Sequence, residues 1–152
     1  GQSVYLREIE GREEGAAPPV DLAAEKRHGD FVRGLIEAAR VDTVHDLSDG
    51  GLAVALAEMA LPRGIGASVG QAAIADAVAF WFGEDQGRYL IAAPFAEAEK
   101  IVAEARAAYI PLAELGKTGG GEIVIDDKDR VTVASLRAAH EGWFPDFMKA
   151  EL

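Results

Sequence analysis

Longer amphipathic segments alternate with short apolar segments along most of the chain. The longer segments repeat apolar side chains at helical spacing, and glycine or proline residues lie at most of the boundaries. Helices are predicted at residues 21–40, 51–61, 74–82 and 95–108, strands at residues 41–45, 65–69 and 88–93, and a hairpin at residues 122–125 and 131–133. The alternation predicts an α/β (α+β) fold, a two-layer sandwich of a mixed sheet with packed helices.

The helix at residues 21–40 has Asp21 as its predicted N-cap. The two ends of the chain carry less regular patterns. Residues 3–9 mix apolar and polar side chains and predict an edge strand. Near the other end, Ser135 is predicted to cap a final helix, which we expect to be interrupted near Gly142 and Pro145.

Length and charge restrict the class of protein. A chain of 152 residues buries one core, which predicts a single domain at residues 1–152, and a start at Gly1 rather than Met suggests a fragment of a longer protein. The 15 basic and 26 acidic residues give a net charge of −11, which disfavours nucleic acid and membrane partners. Without an apolar run of about 20 residues, we expect a cytoplasmic protein.

Common catalytic and metal-binding patterns are missing from the sequence. The chain has no cysteine, and its three histidines do not have H-x-x-x-H spacing. Gly116-Lys117-Thr118 looks like the end of a phosphate-binding loop, but Pro111 stands where that motif needs glycine, so we interpret the segment as a link between strands. We therefore predict no catalytic residue and no metal ligand in this chain.

The segment from Asp46 to Gly51 lies where a predicted strand ends and a helix begins. Its candidate ligand-binding residues are Asp46, Ser48, Asp49, Gly50 and Gly51. Free N–H groups at a helix N-terminus favour anions, and the two glycines permit a close approach of backbone to a ligand. The two acidic side chains disfavour an anion, however. A ligand site and a plain cap-and-turn both remain open on spacing alone.

A second candidate lies at residues 84–88. Glu84, Gln86 and Arg88 alternate as the chain enters the strand predicted at residues 88–93. Period-two spacing places all three side chains on one face of a strand, where they could hydrogen-bond a polar ligand. The same row also fits a solvated strand start.

Together, HDLSDGGLAVALAEMA, GIGASV and FGEDQGRYL resemble the C-terminal domain of the large subunit of phosphoribosylformylglycinamidine synthases, in the aminoimidazole ribonucleotide (AIR) synthetase superfamily. The opening GQSVYLREI and the WFPDFM near the end extend the resemblance over nearly the whole chain. It implies an AIR synthase C-terminal-domain-like fold. It also implies one domain of an ATP-dependent ligase of purine biosynthesis, which converts formylglycinamide ribonucleotide and glutamine-derived ammonia into formylglycinamidine ribonucleotide.

The resemblance further implies ATP and Mg²⁺ as cofactors of the full enzyme, with neither held by this domain alone. The implied partners are the other domains of the same polypeptide, a glutaminase subunit and a small accessory subunit. Glu84, Gln86 and Arg88 match three positions of a Glu-Ser-Gln-Glu-Arg stretch that contacts substrate in the first half of the family's enzymes, whereas Asp85 and Gly87 depart from it. This implies an auxiliary site rather than catalytic residues, and an inactive isolated domain.

Two alternatives stay open at this point. One is the C-terminal domain of another superfamily enzyme, of the thiamine-monophosphate kinase or selenophosphate synthetase type, and the other is a stand-alone binding or scaffold domain. A separate hypothesis concerns aromatic content, since we expect an apolar patch that a further domain covers. Its candidate residues are Trp81, Phe82, Trp143, Phe144 and Phe147.

Overall fold

A computed structural model describes residues 3–70 and 75–150 of the chain. The chain divides into two compact units, the first formed by Gly1–Leu56 with Ile74–Glu114 and the second by Ala57–Ala73 with Leu115–Leu152. The elements in chain order are α1 (Val4–Glu8), α2 (Leu22–Glu37), β1 (Thr43–Asp46), α3 (Gly51–Ala60), β2 (Ala67–Val69), α4 (Ala77–Phe82), β3 (Tyr89–Ala92), α5 (Phe95–Ala107), β4 (Gly116–Thr118), β5 (Glu122–Ile125), β6 (Asp129–Thr132) and α6 (Val133–Ala150).

The first unit is built on a two-stranded sheet. Strands β1 and β3 pair antiparallel, with Val44 opposite Ile91. Leu35 of α2 and Ile101 of α5 are buried in one cluster, and Val44 and Ile91 pack against it. Each such aliphatic side chain stabilises the fold by roughly 1.5–3 kcal/mol relative to an exposed one. This cluster packs against the middle of β1 and β3, and the candidate residues lie at the end of β1 and just before β3.

Helix α2 begins where the sequence predicts. Oδ1 of Asp21 accepts hydrogen bonds from the backbone N–H groups of Ala23 at 3.0 Å and Ala24 at 2.9 Å. Both bonds hold the pKa of the Asp21 carboxyl below its usual value, and the bond from Ala24 has the larger effect. The helix ends at Glu37, and Ala39 follows in the left-handed region with φ of 54°. The predicted N-cap is therefore confirmed.

The second unit contains a four-stranded mixed sheet in the order β4-β2-β5-β6. Strand β2 is antiparallel to β4 and parallel to β5, and β5 and β6 form the predicted hairpin. The prediction of a glycine-rich link at residues 116–118 was wrong. These residues form the edge strand β4, because pairing with β2 satisfies backbone groups that β5 leaves open. The described strands thus form two sheets, and the predicted α+β class with a mixed sheet is confirmed.

The edge strand predicted at residues 3–9 was wrong, because these residues form helix α1. Oγ of Ser3 accepts a hydrogen bond from the Leu6 N–H at 3.3 Å, which caps the helix. Oε1 of Glu84 accepts from the Val4 N–H at 2.8 Å. A short helix needs such partners for its first N–H groups, and one partner is distant in sequence.

Helix α6 differs from the prediction at its start and in its middle. It begins at Val133, and the Ser135 N–H donates to Oγ1 of Thr132 at 3.0 Å, so Thr132 caps the helix and not Ser135. The helix continues through Gly142 and Pro145 without the expected interruption. Pro145 removes one backbone hydrogen bond from α6, yet the helix continues on both sides of it. The ring of Trp143 stacks on that of Phe147 across this point, with centroids 5.4 Å apart.

The aromatic residues of the patch hypothesis divide into two groups. Trp81 is buried at 5% exposure, and Phe82 is half-buried against Tyr5 with ring centroids 4.6 Å apart. Trp143, Phe144 and Phe147 are exposed on α6. The exposed members of this set of five therefore all lie on α6. Among the helices of residues 3–70 and 75–150, we find none with the length and apolar character to cross a bilayer.

Candidate functional site

The predicted strand–turn–helix arrangement at residues 46–51 is present. Strand β1 ends at Asp46 and helix α3 begins at Gly51. The Leu47 N–H donates to the Arg88 carbonyl at 3.0 Å, which joins the turn to the chain just before β3. The Gly51 N–H donates to the Ser48 carbonyl at 3.0 Å and closes the turn. The two candidate segments of the sequence are thus brought side by side.

Asp46 and Ser48 form the exposed side of this turn. Oγ of Ser48 donates to Oδ2 of Asp46 at 2.8 Å. This hydrogen bond, together with one from the backbone N–H of Asp46 itself, lowers the pKa of the Asp46 carboxyl. Asp49 is also exposed. The turn therefore presents negative charge to solvent, which disfavours a bare phosphate there.

Glu84 occupies the inner side of the same turn. Its Oε1 accepts hydrogen bonds from the Gly50 N–H and from the Val4 N–H, both at 2.8 Å. The Gly50 N–H immediately precedes the first residue of α3, where the helix dipole favours an anion. A carboxylate of the chain itself therefore takes the position that an anionic ligand would take at this helix.

The two glycines of the turn each leave room for a different neighbour, which is the Val54 side chain of α3 for Gly50 and a distant backbone segment for Gly51. Gly50 and Gly51 have φ of +79° and +65°, a conformation that side chains rarely adopt. A Cβ on Gly51 would lie 2.6 Å from the carbonyl oxygen of Gly83 and 2.9 Å from the carbonyl carbon of Phe82. The close approach that the sequence predicts is therefore filled by backbone from the end of α4.

The predicted row of Glu84, Gln86 and Arg88 on one strand face was wrong. These residues precede β3, which begins only at Tyr89, and a turn at Gln86 and Gly87 interrupts any period-two alternation. Glu84 points to the turn at Gly50, whereas Arg88 donates to the carbonyls of Gly83 at 3.2 Å and Phe80 at 3.4 Å. Gln86 is exposed. The site brings Glu84 to residues 46–51 and directs Arg88 to the end of α4.

Sequence reasoning missed three contributors to this region. Val4 and Tyr5 contact Glu84 and Phe82, although residues 3–9 were predicted as a strand. Nδ1 of His28 lies 3.1 Å from the Gly87 carbonyl, while its Nε2 is buried and has no hydrogen-bond partner in the described part of the chain. No local pattern signals these contacts, because each joins segments far apart in sequence.

A metal ion needs several His, Asp or Glu side chains close together, and a phosphate at a helix N-terminus needs free N–H groups. In residues 3–70 and 75–150, no three or more His, Asp or Glu side chains come together as a metal site would require. The N–H group of Gly50 is already bonded to a carboxylate. An open surface depression exists beside α5, but its Arg40 is paired with both Glu97 at 3.0 Å and Glu104 at 2.6 Å.

A family model described as AIR synthase related protein, C-terminal domain, matches residues 1–128. The chain belongs to this family. The match covers both candidate segments, so the turn at residues 46–51 and the loop at residues 84–88 lie within the AIR synthase related C-terminal domain. The strand–turn–helix with its Glu84 contact is thus a part of that domain and not an addition to it.

This AIR synthase related C-terminal domain is similar to parts of much longer proteins. The phosphoribosylformylglycinamidine synthase subunit PurL of Methylocella silvestris is 55% identical over 152 residues, which is 100% of this chain and 21% of that protein. The corresponding subunit of Bradyrhizobium diazoefficiens is 55% identical over 150 residues, with 20% of its length covered. The chain therefore spans about a fifth of the length of these curated relatives.

Solved structures support the fold. The chain matches Thermotoga maritima PurL complexed with FGAR with a TM-score of 0.69 and 18% identity, over 85% of this chain and 24% of that one. It matches the structure of PurLQS from the same organism with a TM-score of 0.67 and 19% identity, over 90% and 24%. For PurL complexed with ATP the TM-score is 0.62 at 18% identity, over 73% and 21%. The predicted AIR synthase-like fold is confirmed.

Proposed function

We propose that residues 1–152 form one domain of a phosphoribosylformylglycinamidine synthase, the C-terminal domain of its second half. The complete enzyme would be an ATP-dependent ligase of purine biosynthesis that converts formylglycinamide ribonucleotide and ammonia from glutamine into formylglycinamidine ribonucleotide. The observation that carries this proposal is the 55% identity to the Methylocella silvestris subunit over the whole chain. Identity at this level to a synthase subunit favours this enzyme over a thiamine-monophosphate kinase or selenophosphate synthetase.

The role proposed for this domain is structural, with the chemistry carried by other parts of the enzyme. The complete enzyme would bind ATP and Mg²⁺, and the similar Thermotoga maritima PurL is known with ATP. In this chain the α3 N-terminus is bonded to Glu84, and the described residues bring no metal-binding group together. Asp46, Ser48, Asp49, Gly50, Gly51, Glu84, Gln86 and Arg88 remain candidates for contact with a ligand or a neighbouring domain.

The proposed partners follow from the same relatives. The chain would contact other domains of its own polypeptide, and the enzyme would assemble with a glutaminase subunit and a small accessory subunit. The similarity to the Thermotoga maritima PurLQS structure supports this assembly. The proposed location is the cytoplasm, where a nucleotide-synthesising enzyme finds its substrates.

A domain exchange tests the proposal. The segment of Methylocella silvestris PurL that aligns with this chain is replaced by residues 1–152, and the chimera is expressed in a bacterial strain that lacks its own synthase subunit. We expect growth without added purine, as with the unchanged Methylocella silvestris subunit. A chimera with Leu35→Asp in the buried cluster is the negative control. A soluble, full-length chimera that fails to restore growth would contradict the proposal.

The isolated chain tests the second part of the proposal. Purified residues 1–152 are incubated with ATP, Mg²⁺, ammonium and formylglycinamide ribonucleotide, and ADP release is followed beside the chimera. We expect activity only from the chimera, because the described residues of this chain offer no nucleotide or metal site. Turnover by the isolated chain at a rate similar to that of the chimera would show that this domain carries the chemistry itself.

A further inference from the structure

Three aromatic residues and a methionine form an exposed apolar face of helix α6, called the α6 face. They are Trp143, Phe144, Phe147 and Met148. We propose that this α6 face is the surface on which another part of the same synthase polypeptide, outside residues 1–152, docks. The inference rests on the proposed function, since it names the partner of this domain within the enzyme.

The four side chains form a continuous apolar surface. Their spacing of three and four residues places them on one side of the helix, and they are 65%, 60%, 46% and 49% exposed in sequence order. Trp143 stacks on Phe147, and its ring centroid lies 6.3 Å from that of Phe144. With about 150–250 Å² for each aromatic side chain, the three rings alone expose roughly 300 Å². The largest apolar patch of a typical monomer is of about this size and is often functional.

The first half of α6 is fixed to the second unit. Val133 is buried at the start of the helix, and Thr132 caps it. The Arg137 guanidinium donates a hydrogen bond to the Leu61 carbonyl. The aromatic face follows directly after this anchored half. It is therefore held at a defined position on the second unit, as a docking surface requires, and does not lie on a loose terminal segment.

The charges beside the face pair with each other. Arg137 and Glu141 are 2.7 Å apart, and Lys149 and Asp146 are 3.3 Å apart. The helix thus offers no unpaired cluster of one sign near the rings, which favours an uncharged, apolar occupant. A second copy of this chain is disfavoured because both copies would carry a net charge of −11. The occupant expected here is an apolar surface of the same polypeptide.

The extent of the similarities supports this occupant. The family model ends at residue 128, before α6 begins, whereas the alignment with the Methylocella silvestris synthase subunit covers all 152 residues. Helix α6 therefore belongs to the part of the chain that the synthase shares and the general domain model does not include. The chain makes up 21% of that subunit, so most of the subunit's polypeptide lies outside it.

Photo-crosslinking in the complete chimeric subunit tests the inference. Phe144→benzoylphenylalanine is introduced, the subunit is irradiated, and cross-linked peptides are identified by mass spectrometry. We expect a cross-link within one polypeptide, to a peptide from outside residues 1–152. The matched control is Asp146→benzoylphenylalanine, which lies nearly opposite on the same turn of α6 and should give no such cross-link. A dimer, a cross-link to residues 1–152 themselves, a cross-link to another subunit, or none at all would overturn the inference.

A second measurement keeps the inference testable if the unnatural residue disturbs folding. Phe144→Asp should lower the melting temperature of the complete chimera by more than that of the isolated 152-residue chain, because the docked surface covers the side chain only in the chimera. Equal shifts in both proteins would overturn the inference. Growth of the chimera without purine reports separately on the proposed function. A chimera that cross-links as expected without supporting growth would refute the function alone, and one that grows without the cross-link would refute the docking alone.

Discussion

The N–H group of Gly50 and the carboxylate of Glu84 are joined by a hydrogen bond of 2.8 Å, although 34 positions separate them in the chain. The same oxygen accepts the N–H of Val4 at 2.8 Å. One side chain thus connects the start of α1, the turn before α3 and the loop after α4. A charged acceptor shared by two backbone donors is among the stronger hydrogen-bonding arrangements in proteins.

Removal of this carboxylate should destabilise the chain. Glu84→Ala leaves two backbone N–H groups without an acceptor, which costs about 1–3 kcal/mol in the free energy of unfolding. Glu84→Gln keeps an oxygen acceptor and should lose less, since only the charge is removed. Urea denaturation measures both variants. Asp85→Ala is the control, because its exposed pair with Arg88 contributes less than about 1 kcal/mol. Equal stabilities of Glu84→Ala and Asp85→Ala would mean that the two hydrogen bonds to Glu84 do not stabilise the fold.

Gly51→Ala should be more destabilising than the same change at Gly64. Both glycines have nearly the same φ, +65° and +66°, but only the new Cβ at residue 51 meets another part of the backbone. The left-handed conformation alone costs about 1–2 kcal/mol for alanine, and the contact with Gly83 adds roughly 1–3 kcal/mol. Thermal or urea unfolding of the two variants gives the difference. If both variants lose the same stability, the contact between the new Cβ and Gly83 adds nothing to the cost of the substitution.

The sequence predicted the elements whose signals are local. Asp21 is followed by an amphipathic run and caps α2, and the turn at Asp46–Gly51 separates a strand from a helix as predicted. These results depend on residues within one or two turns of each other. The fold class follows from the same alternation. The turn between β5 and β6 was also recognisable from its polar residues.

The wrong predictions at residues 3–9 and 84–88 share a cause, because both segments are arranged by contacts with parts of the chain that are distant in sequence. The helix at Val4–Glu8 has an acceptor for its first N–H group on Glu84, which no local pattern shows. Glu84 and Arg88 turn to different parts of the unit, whereas period-two reasoning assumed a strand that begins only at Tyr89. The site therefore could be located from sequence, but its internal contacts could not. The identity of those contacts depends on which distant segments the core brings together.

Loss of the Ser48 hydroxyl should raise the pKa of Asp46. The hydrogen bond from Ser48 is the main reason that this pKa lies below its usual value. A lowered folded-state pKa stabilises the fold above the unfolded-state pKa, and this contribution is lost as the pH falls through the folded-state value. In Ser48→Ala we expect a smaller loss of stability on acidification. Carbon-detected NMR titration of the Asp46 carboxyl gives the pKa directly. Thr43→Val, which removes a hydroxyl bonded to Asp42, should leave it unchanged.

Pro145→Ala should stabilise the chain. The proline lies inside α6, where it lacks the N–H that would bond to the Glu141 carbonyl. Alanine restores this bond and raises helix propensity, with a gain of about 1–3 kcal/mol in the free energy of unfolding. Circular dichroism should show equal or greater helix content. Pro111→Ala, in a loop after α5, is the control and should lose a little stability through the greater freedom of the unfolded chain. A less stable Pro145→Ala variant would contradict this prediction and would mean that the proline stabilises the fold.

Strand β2 lies between β4 and β5, and both of these neighbours come from the last third of the chain. During synthesis on the ribosome, Ala67 emerges long before its parallel partner Ile123 and its antiparallel partner Thr118. The first unit can close around its own sheet as soon as residue 114 has emerged, whereas β2 must wait with both edges unpaired. Nascent chains stalled just after residue 114 has left the ribosomal exit tunnel should thus be protected from protease in α2 and α5 and cleaved near β2. The connection of β2 through non-local pairs makes the second unit the slower one to form.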